Sequence, residues 1–503
     1  MPGGTPRVQN YRSLIVAGAL ALFILAWPLD RRHLIFTEHS FITGAYTEAG
    51  TLSLYASDLV FLLLWIAWFW YVTSQPQEIF LPRRVFWIGF AFIAWVVFRA
   101  LPLNFSGSAG FSTPLGWYGA VRIAQGFLLA IIVSQVWPLP LFRRVILGAL
   151  VISGLFQSLL GIGQVLYGAD FGLRFLGEHQ LSLQTPGVAK VDIITYSKYS
   201  GNVPIETSRE EVRLRSKEDV PTGTKVLRAY GTFPHSNVLA SFLLSSLVAS
   251  YAFHRGMRGT RETLLHLFLA VPFVLSVGLL MTFSRSGWLS FLFLLGTLWG
   301  CSYRNTEARR KALFFFFSVT LGILILLLFP TLRSAAIARI FPEPTDTFIQ
   351  GRISSFHNTL SILARDTLFG VGTGNGFIEL VRNAQNIDIY KKHVHFMSLE
   401  PWQYQYPHAM FLVIFVELGA VGLILFLAFL YEGAKLFVTS VRNLSLFART
   451  PISGMVLVIL AVAVLGFADH YLWTIQQGRM LFWGAVGVLL SSASRNEKNL
   501  SSP

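Results

Sequence analysis

Apolar runs about as long as a bilayer is thick recur along the whole chain, from LIVAGALALFILAW at 14–27 to MLFWGAVGVLL at 480–490. Roughly 20 such residues cross the hydrocarbon core as a helix. Inside lipid each backbone amide has to be paired, so only helices or closed barrels can span. Repeated alternating strands of barrel type are missing from the sequence, which leaves helices. Composition agrees: 53% of residues are hydrophobic and only 13% charged, with mean hydropathy +0.57, where a soluble domain carries roughly a quarter charged residues.

The expected fold is therefore an all-α polytopic membrane protein with about 12 transmembrane helices and two long extracytoplasmic loops. The spans fall near 13–29, 53–72, 85–101, 116–136, 145–167, 236–254, 264–282, 287–303, 312–330, 407–431, 453–470 and 476–492. The first is read as a retained span because no small-residue cleavage site follows it. The chain divides into helices 1–5 over 1–167, an outer loop over 168–235, helices 6–9 over 236–330, a second outer loop over 331–406, and helices 10–12 with a tail over 407–503.

Basic residues fix the orientation. Arg83 and Arg84, Arg143 and Arg144, Arg255 and Arg258, Arg309 to Lys311, and Lys435 and Arg442 all fall in connections on one side. That side is cytoplasmic by the positive-inside rule, and both termini are expected there. The same rule accounts for the net charge of +15 without nucleic acid. Cys301 is the single cysteine, so an internal disulfide is excluded.

Each outer loop carries organisation. In the first, AKVDIITY and EEVRLRS alternate like strands. In the second, Ile353, Phe356, Leu360 and Leu363 recur at helical spacing, the pattern of an amphipathic helix lying on the outer membrane face or against the bundle. Gly370, Gly372, Gly374 and Gly376 follow that helix rather than a strand, so they read as flexible turns and not as a nucleotide loop. Neither a Gly-Lys nor an Asp-x-Asp occurs, so neither an ATP-driven pump nor a metal-dependent nucleotide-sugar transferase is indicated.

Charge that does enter the apolar regions collects near the outer face. Arg285 sits in the joint MTFSRSGWLSF, Arg122 inside span four, and Arg352 at the head of the amphipathic helix. His235 and Asn237 open span six and His408 opens span ten. Asp58 and Glu417 are the acids well within spans, and Glu417, nine residues past His408, falls on nearly the opposite helical face. Each residue has a plainer reading: Arg285 snorkelling to the interface, Arg122 as a donor between helices, His235 and His408 ordering helix starts. Asp469 and His470, at the outer end of span eleven, are set aside from the site. Taken together, guanidinium groups near the lipid boundary suit a phosphate or pyrophosphate arriving on a lipid, because the planar fork binds such anions at two points.

The order of motifs resembles the O-antigen ligase superfamily: GTFPHSNVLASFL, TFSRSGWLSFL, GRISSFHNTLSILARDTLFGVGTGNGF and PHAMFLVIFVELGAVG, over about 230–430. The resemblance implies essential roles for Arg285, within Ser284, Arg285, Ser286 and Gly287, for Arg352, and for His408. Asn usually follows that histidine in the family, and here the residue is Ala409. The implied activity is transfer of a glycan from polyprenyl (undecaprenyl) pyrophosphate to an acceptor hydroxyl on the outer face of the bacterial cytoplasmic membrane. It needs no cofactor, metal or ATP, because the pyrophosphate is itself the leaving group. Arg285, Arg352 and Arg122 would hold the pyrophosphate. His408 would serve as general base, since an imidazole titrates near neutrality, or as a further cation. Ser284, His235 and Asn237 are accessory candidates. The acceptor is a glycan, a lipid or a protein. The rival readings are a solute transporter, which would place charge near mid-membrane in two matching halves, and a non-catalytic envelope scaffold.

Overall fold

A computed structural model describes residues 6–42, 45–74, 81–102, 111–193, 224–256, 262–302, 306–341, 347–386, 406–441 and 469–491. Five apolar helices come first: α1 (Pro6–Ala26), α2 (Ala56–Thr73), α3 (Arg83–Phe98), α4 (Thr113–Val136) and α5 (Pro140–Tyr167). Proline stands in the first turn of α4 and of α5, where its missing amide leaves no helical bond unmade. Between α1 and α2 the chain forms an antiparallel hairpin, β1 (Arg32–Ile35) on β4 (Leu52–Tyr55), with the short pair β2 (Phe41–Ile42) and β3 (Ala45–Tyr46) between them. The sequence pattern gives no expectation of this hairpin.

The first outer loop contributes β5 (Lys190–Ile193), paired antiparallel with β6 (Thr224–Leu227). The expected strand AKVDIITY is met by β5, whereas EEVRLRS lies outside the described residues. The next helices are α6 (Ser236–Gly256), α7 (Glu262–Met281), α8 (Arg285–Ser302), α9 (Thr306–Leu328) and α10 (Pro330–Ile340). The chain ends with α11 (Thr347–Arg365), α12 (Gly376–Asn386), α13 (Met410–Val441), α14 (Tyr471–Thr474) and α15 (Gln476–Leu490).

Among the described residues, five helices are long and apolar enough to cross a membrane: α2, α4, α5, Ser236–Phe253 of α6 and Met410–Thr439 of α13. Phe315–Leu328 and Pro330–Ile340 make a sixth if the pair, bent by 104°, is one span. That is fewer than the twelve expected. The α3 and α15 helices have 16 and 15 residues, short of the ~20 that cross unaided. The eleventh expected span, 453–470, lies outside the described residues except for its last two positions.

Helix α6 is the most enclosed of these five, with 94% of its apolar span buried. Small residues permit that burial: Ser241, Ser245 and Ser246 each donate to the carbonyl four residues back, so none of these hydroxyls is stranded between helices. By contrast α2 leaves Leu59, Leu62, Leu63, Ile66 and Phe69 outward, as a lipid-facing helix does.

The expected amphipathic helix is α11, and its burial divides along its length. Ile353, Phe356 and Leu360 of the expected stripe are exposed while Ser355, Asn358 and Thr359 are buried; Leu363 is buried with Ile362 against Val371, Leu380 and Val416. Asn358 donates to the Leu380 carbonyl of α12 (2.8 Å) and accepts from Asn383 (2.6 Å). An apolar stripe turned away from the protein suits a helix whose outer solvent is lipid.

The glycines after α11 are firmly held. Gly370, Gly372 and Gly374 adopt positive φ. Val371 and Gly372 donate to the carbonyls of Val416 and Glu417, and Ala420 donates back to Thr367. These bonds stitch the segment into a break in α13 at Gly419 (φ 67°, ψ −173°). Where a membrane helix breaks, the freed amides and carbonyls need such partners. A Cβ at Gly419 would lie 2.2 Å from the Leu368 carbonyl oxygen, in a backbone region essentially reserved for glycine. Gly419→Val is expected to cost about 3 kcal/mol or more, read as a fall in the thermal midpoint of the solubilised protein; an unchanged midpoint would contradict this role.

Candidate active site

The site is built around the turn from α7 to α8. Phe283 there is a non-glycine residue in the left-handed region (φ 47°), a conformation that costs roughly 1–2 kcal/mol and persists only where its surroundings enforce it. They do so from two sides. Arg339, carried inward by the bend between α9 and α10, donates to the Phe283 carbonyl (3.1 Å). Arg228, just after β6, donates to the Thr282 carbonyl (2.7 Å). Ser284 caps α8, accepting from the Gly287 amide (3.2 Å). Arg285 is the first residue of α8, and its Nε donates to the Arg339 carbonyl (2.7 Å). Three arginines from separate segments therefore surround one turn, and the charges of Arg339 and Arg285 both act on Arg228. Burial, reinforced by Arg339, pulls Arg228 down to about 9, so its positive charge is held at a cost that an incoming anion would relieve.

A polar chain leads from Arg228 to the histidines. Arg228 donates to Asn237 Oδ1 (2.7 Å), and Asn237 Nδ2 donates to Asp469 Oδ2 (2.8 Å). The other oxygen of Asp469 accepts from the His470 amide (2.8 Å) and lies 3.3 Å from His408 Nδ1. His470 Nδ1 in turn meets Thr474 Oγ1 at 2.7 Å. The buried carboxylate of Asp469 thus faces both imidazoles, and the rings of His408 and His470 lie 5.6 Å apart.

His408, Asp469 and His470 offer one ligand atom each within 4.8 Å of one another, a set chemically able to hold a metal ion. Asp469 already accepts from Asn237 and the His470 backbone, so a cation would compete with bonds that are made.

His235 borders this group in another state. Its Nδ1 accepts from the Asn237 amide (3.1 Å). Burial and, secondarily, the charge of Arg228 hold its imidazole down to about 3, so it is neutral at physiological pH. A depressed value means that the unfolded chain takes up a proton the folded one refuses. Stability is then complete above about 6.5, the ordinary histidine value, and falls as pH drops toward 3. His235→Gln should flatten the acid-side loss of thermal stability between about pH 6.5 and 4 relative to wild type; parallel curves would contradict it.

The structure gives Arg122 a set of partners of its own. Its NH1 lies 2.5 Å from Asp58 Oδ1 and 3.0 Å from Gln125 Oε1, and its NH2 donates to the Ser53 carbonyl. The Tyr118 ring lies 4.8 Å from the guanidinium. Both partners of the pair are nearly buried, so removing either leaves an uncompensated charge, at about 3–5 kcal/mol. Arg122→Ala should therefore destabilise strongly, and Asp58→Asn in the same chain should recover much of the loss; equal stability of the single and double variants would contradict the pairing. Arg352 lies in α11, but its side chain falls outside the described residues. Arg365 on that helix is paired with Asp366 (2.8 Å) and Glu379.

Two residues of this cluster, Arg228 and Arg339, escape a reading of the sequence, and a third, Asp469, is one that reading weighed and set aside. For Arg122 a signal exists, since a lone arginine and a lone acid within spans two and four invite pairing.

Beside the histidines opens a cavity of about 610 Å3. It runs from the β1–β4 hairpin, at Arg32, Glu48 and Tyr55, to His470, Trp473 and Arg479, and Glu417 lines it too. The carboxylate of Glu417 accepts from Trp473 Nε1 (3.0 Å) and from the amides of Gly374 and Gly376, which makes it part of a polar network, as expected.

Compared with known families, residues 270–427 match the sequence model of the O-antigen ligase family. The matched stretch holds the Arg285 turn, Arg339, Arg352 and His408. No curated protein matches the chain.

Proposed function

We propose, from the match of residues 270–427 to the O-antigen ligase family model, that the chain is a glycosyltransferase of that superfamily using a polyprenyl-pyrophosphate-linked glycan. The family and the apolar helices give the coarse frame of a multi-pass membrane protein that transfers glycans. On this reading the chain has about twelve spans, its site opens at the outer face of the cytoplasmic membrane, and an acceptor hydroxyl is the nucleophile.

The observation that carries it is the chain Arg228–Asn237–Asp469–His408, anchored beside the turn that bears Arg285. The isoprenoid tail stays in lipid. Arg285 and Arg352 grip the pyrophosphate, with Arg339 and Arg228 behind them, and Arg122 is left to its pair with Asp58. His408 Nδ1 faces Asp469, which orients the ring, as a carboxylate does for a catalytic histidine. His408 Nε2 then takes the proton of the acceptor hydroxyl. The acceptor oxygen forms a bond to the anomeric carbon from the face opposite the phosphate, with inversion. The bond from that carbon to the phosphate oxygen breaks, its electron pair leaves on polyprenyl pyrophosphate, and the arginines meet the charge as it grows. The energy comes from the leaving pyrophosphate, so no metal, ATP or cofactor is assigned a part.

Proteoliposomes supplied with lipid-linked glycan and acceptor provide the test. His408→Ala and Asp469→Asn should each lower transfer about 10²-fold or more, and Arg285→Ala and Arg352→Ala by a similar factor, while EDTA leaves the wild-type rate unchanged. Wild-type rates in His408→Ala, or loss of activity on chelation that zinc or magnesium restores, would contradict this mechanism.

A carrier reading draws support from two interrupted helices, the one broken at Gly419 and the pair bent by 104°. The break is closed by the glycine segment rather than left open. Solute flux lost in Arg285→Ala while glycan transfer persists would favour the carrier.

A further inference from the structure

The large cavity has a chemistry unlike that of the arginine turn. Its charges are answered within its own walls. Arg32 is paired with Glu48 and lies 3.5 Å from Asp30. Glu417 is held by Trp473 and two backbone amides. Arg479 donates to the carbonyls of Trp473 (2.8 Å) and Thr474 (3.2 Å) and feels the charge of Glu417. The rest of the wall is neutral and amphipathic: the rings of Tyr46, Tyr55, Tyr118 and Tyr406, whose hydroxyls are also bonded within the protein, to Thr51, Arg32, the Ser53 carbonyl and the Phe377 backbone, and beside them the Gln476 amide. Aromatic bodies with polar tips meet molecules that have apolar faces and hydroxyl rims. A volume of about 610 Å3 lies within the ~300–1,000 Å3 range of ligand sites.

The cavity also reaches the proposed chemistry. Tyr406 and His470 line it, with rings 5.2 Å apart, and the His470 ring lies 5.6 Å from that of His408. The arginine turn lies on the other side of Asp469, reached through Asn237 and Arg228.

We infer that this cavity is an oligosaccharide chamber, walled partly by the β1–β4 hairpin, which presents sugar residues to His408 while the phosphates sit at the arginine turn. The inference rests on the transferase reading and adds the substrate portion that the cavity takes. Either the donor's glycan or the acceptor's glycan fits the same chemistry.

The full chain in lipid nanodiscs tests this by equilibrium dialysis against three probes. They are the oligosaccharide freed by mild acid from the host's polyprenyl-linked glycan, the host's acceptor glycan with its lipid removed, and polyprenyl pyrophosphate bearing no sugar. Ala49→Trp fills the chamber from the hairpin side, and Tyr46→Ala removes one aromatic wall without crowding it. At least one oligosaccharide should bind wild type, and the one that binds identifies donor or acceptor. Ala49→Trp should weaken that binding about tenfold or more and Tyr46→Ala about threefold, with polyprenyl pyrophosphate bound as in wild type by both variants, which also shows them folded. The inference is overturned if neither oligosaccharide binds wild type at up to about 10 mM, or if both variants bind it as wild type does. Failure of the transferase reading looks different: polyprenyl pyrophosphate would then bind Arg285→Ala as tightly as wild type.

Discussion

One buried carboxylate holds the candidate site together. Asp469 draws on α6 through Asn237, on the start of α13 through His408, and on the head of α14 through the His470 amide. Asn237 passes the connection to Arg228, and Arg228 to the turn between α7 and α8. A carboxylate at such depth is tolerable only because donors surround it. The same demand lets one anion fix the relative positions of two histidines and an arginine drawn from segments far apart in the chain. Donors gathered around one carboxylate satisfy it, and the three arginines at the neighbouring turn leave a place where a second anion is favourable.

The low dielectric that makes Asp469 a strong organiser also governs the backbone. At Gly419 α13 leaves helical geometry, and the glycine segment after α11 supplies the missing partners. That exchange brings the amides of Gly374 and Gly376 to Glu417, and Glu417 to Trp473 at the cavity wall. A strained Phe283 at one end of the site and a broken helix at the other are thus held by the same device: carbonyls and amides that find their partners outside their own element.

Much of the architecture was legible because lipid imposes a simple code. Apolar runs such as 116–136 and 145–167 became α4 and α5 with ends shifted by only a few residues. The periodicity of Ile353, Phe356, Leu360 and Leu363 found α11, although only Leu363 of the four is buried, and Ser355, Asn358 and Thr359 are buried in place of the others. Hydropathy alone does not say whether a stripe faces protein or lipid. The glycines were misread as flexible, because a run of glycine looks the same whether it is free or pinned at positive φ. Arg285 stood out as a charge at a greasy joint. Its neighbours Arg339 and Arg228 did not, for a reason of topology: contacts such as Asn237 with Asp469 span 232 positions and those of Arg285 with Arg339 span 54. Periodicity reports only on neighbours within a turn or two. Asp469 looked like one more polar residue at a helix end, and only its partners give it importance.

The proposed chemistry requires a diphosphate bound at the Arg285 turn, on the far side of Asp469 from the cavity. An electron cryomicroscopy structure with polyprenyl pyrophosphate bound addresses this most directly. The predicted result has diphosphate oxygens within about 3 Å of the Arg285 and Arg352 guanidinium groups, the isoprenoid tail passing into lipid, and His408 facing the position of the absent sugar. A diphosphate bound elsewhere, or Arg285 and Arg352 turned toward different sides of the protein, would contradict it.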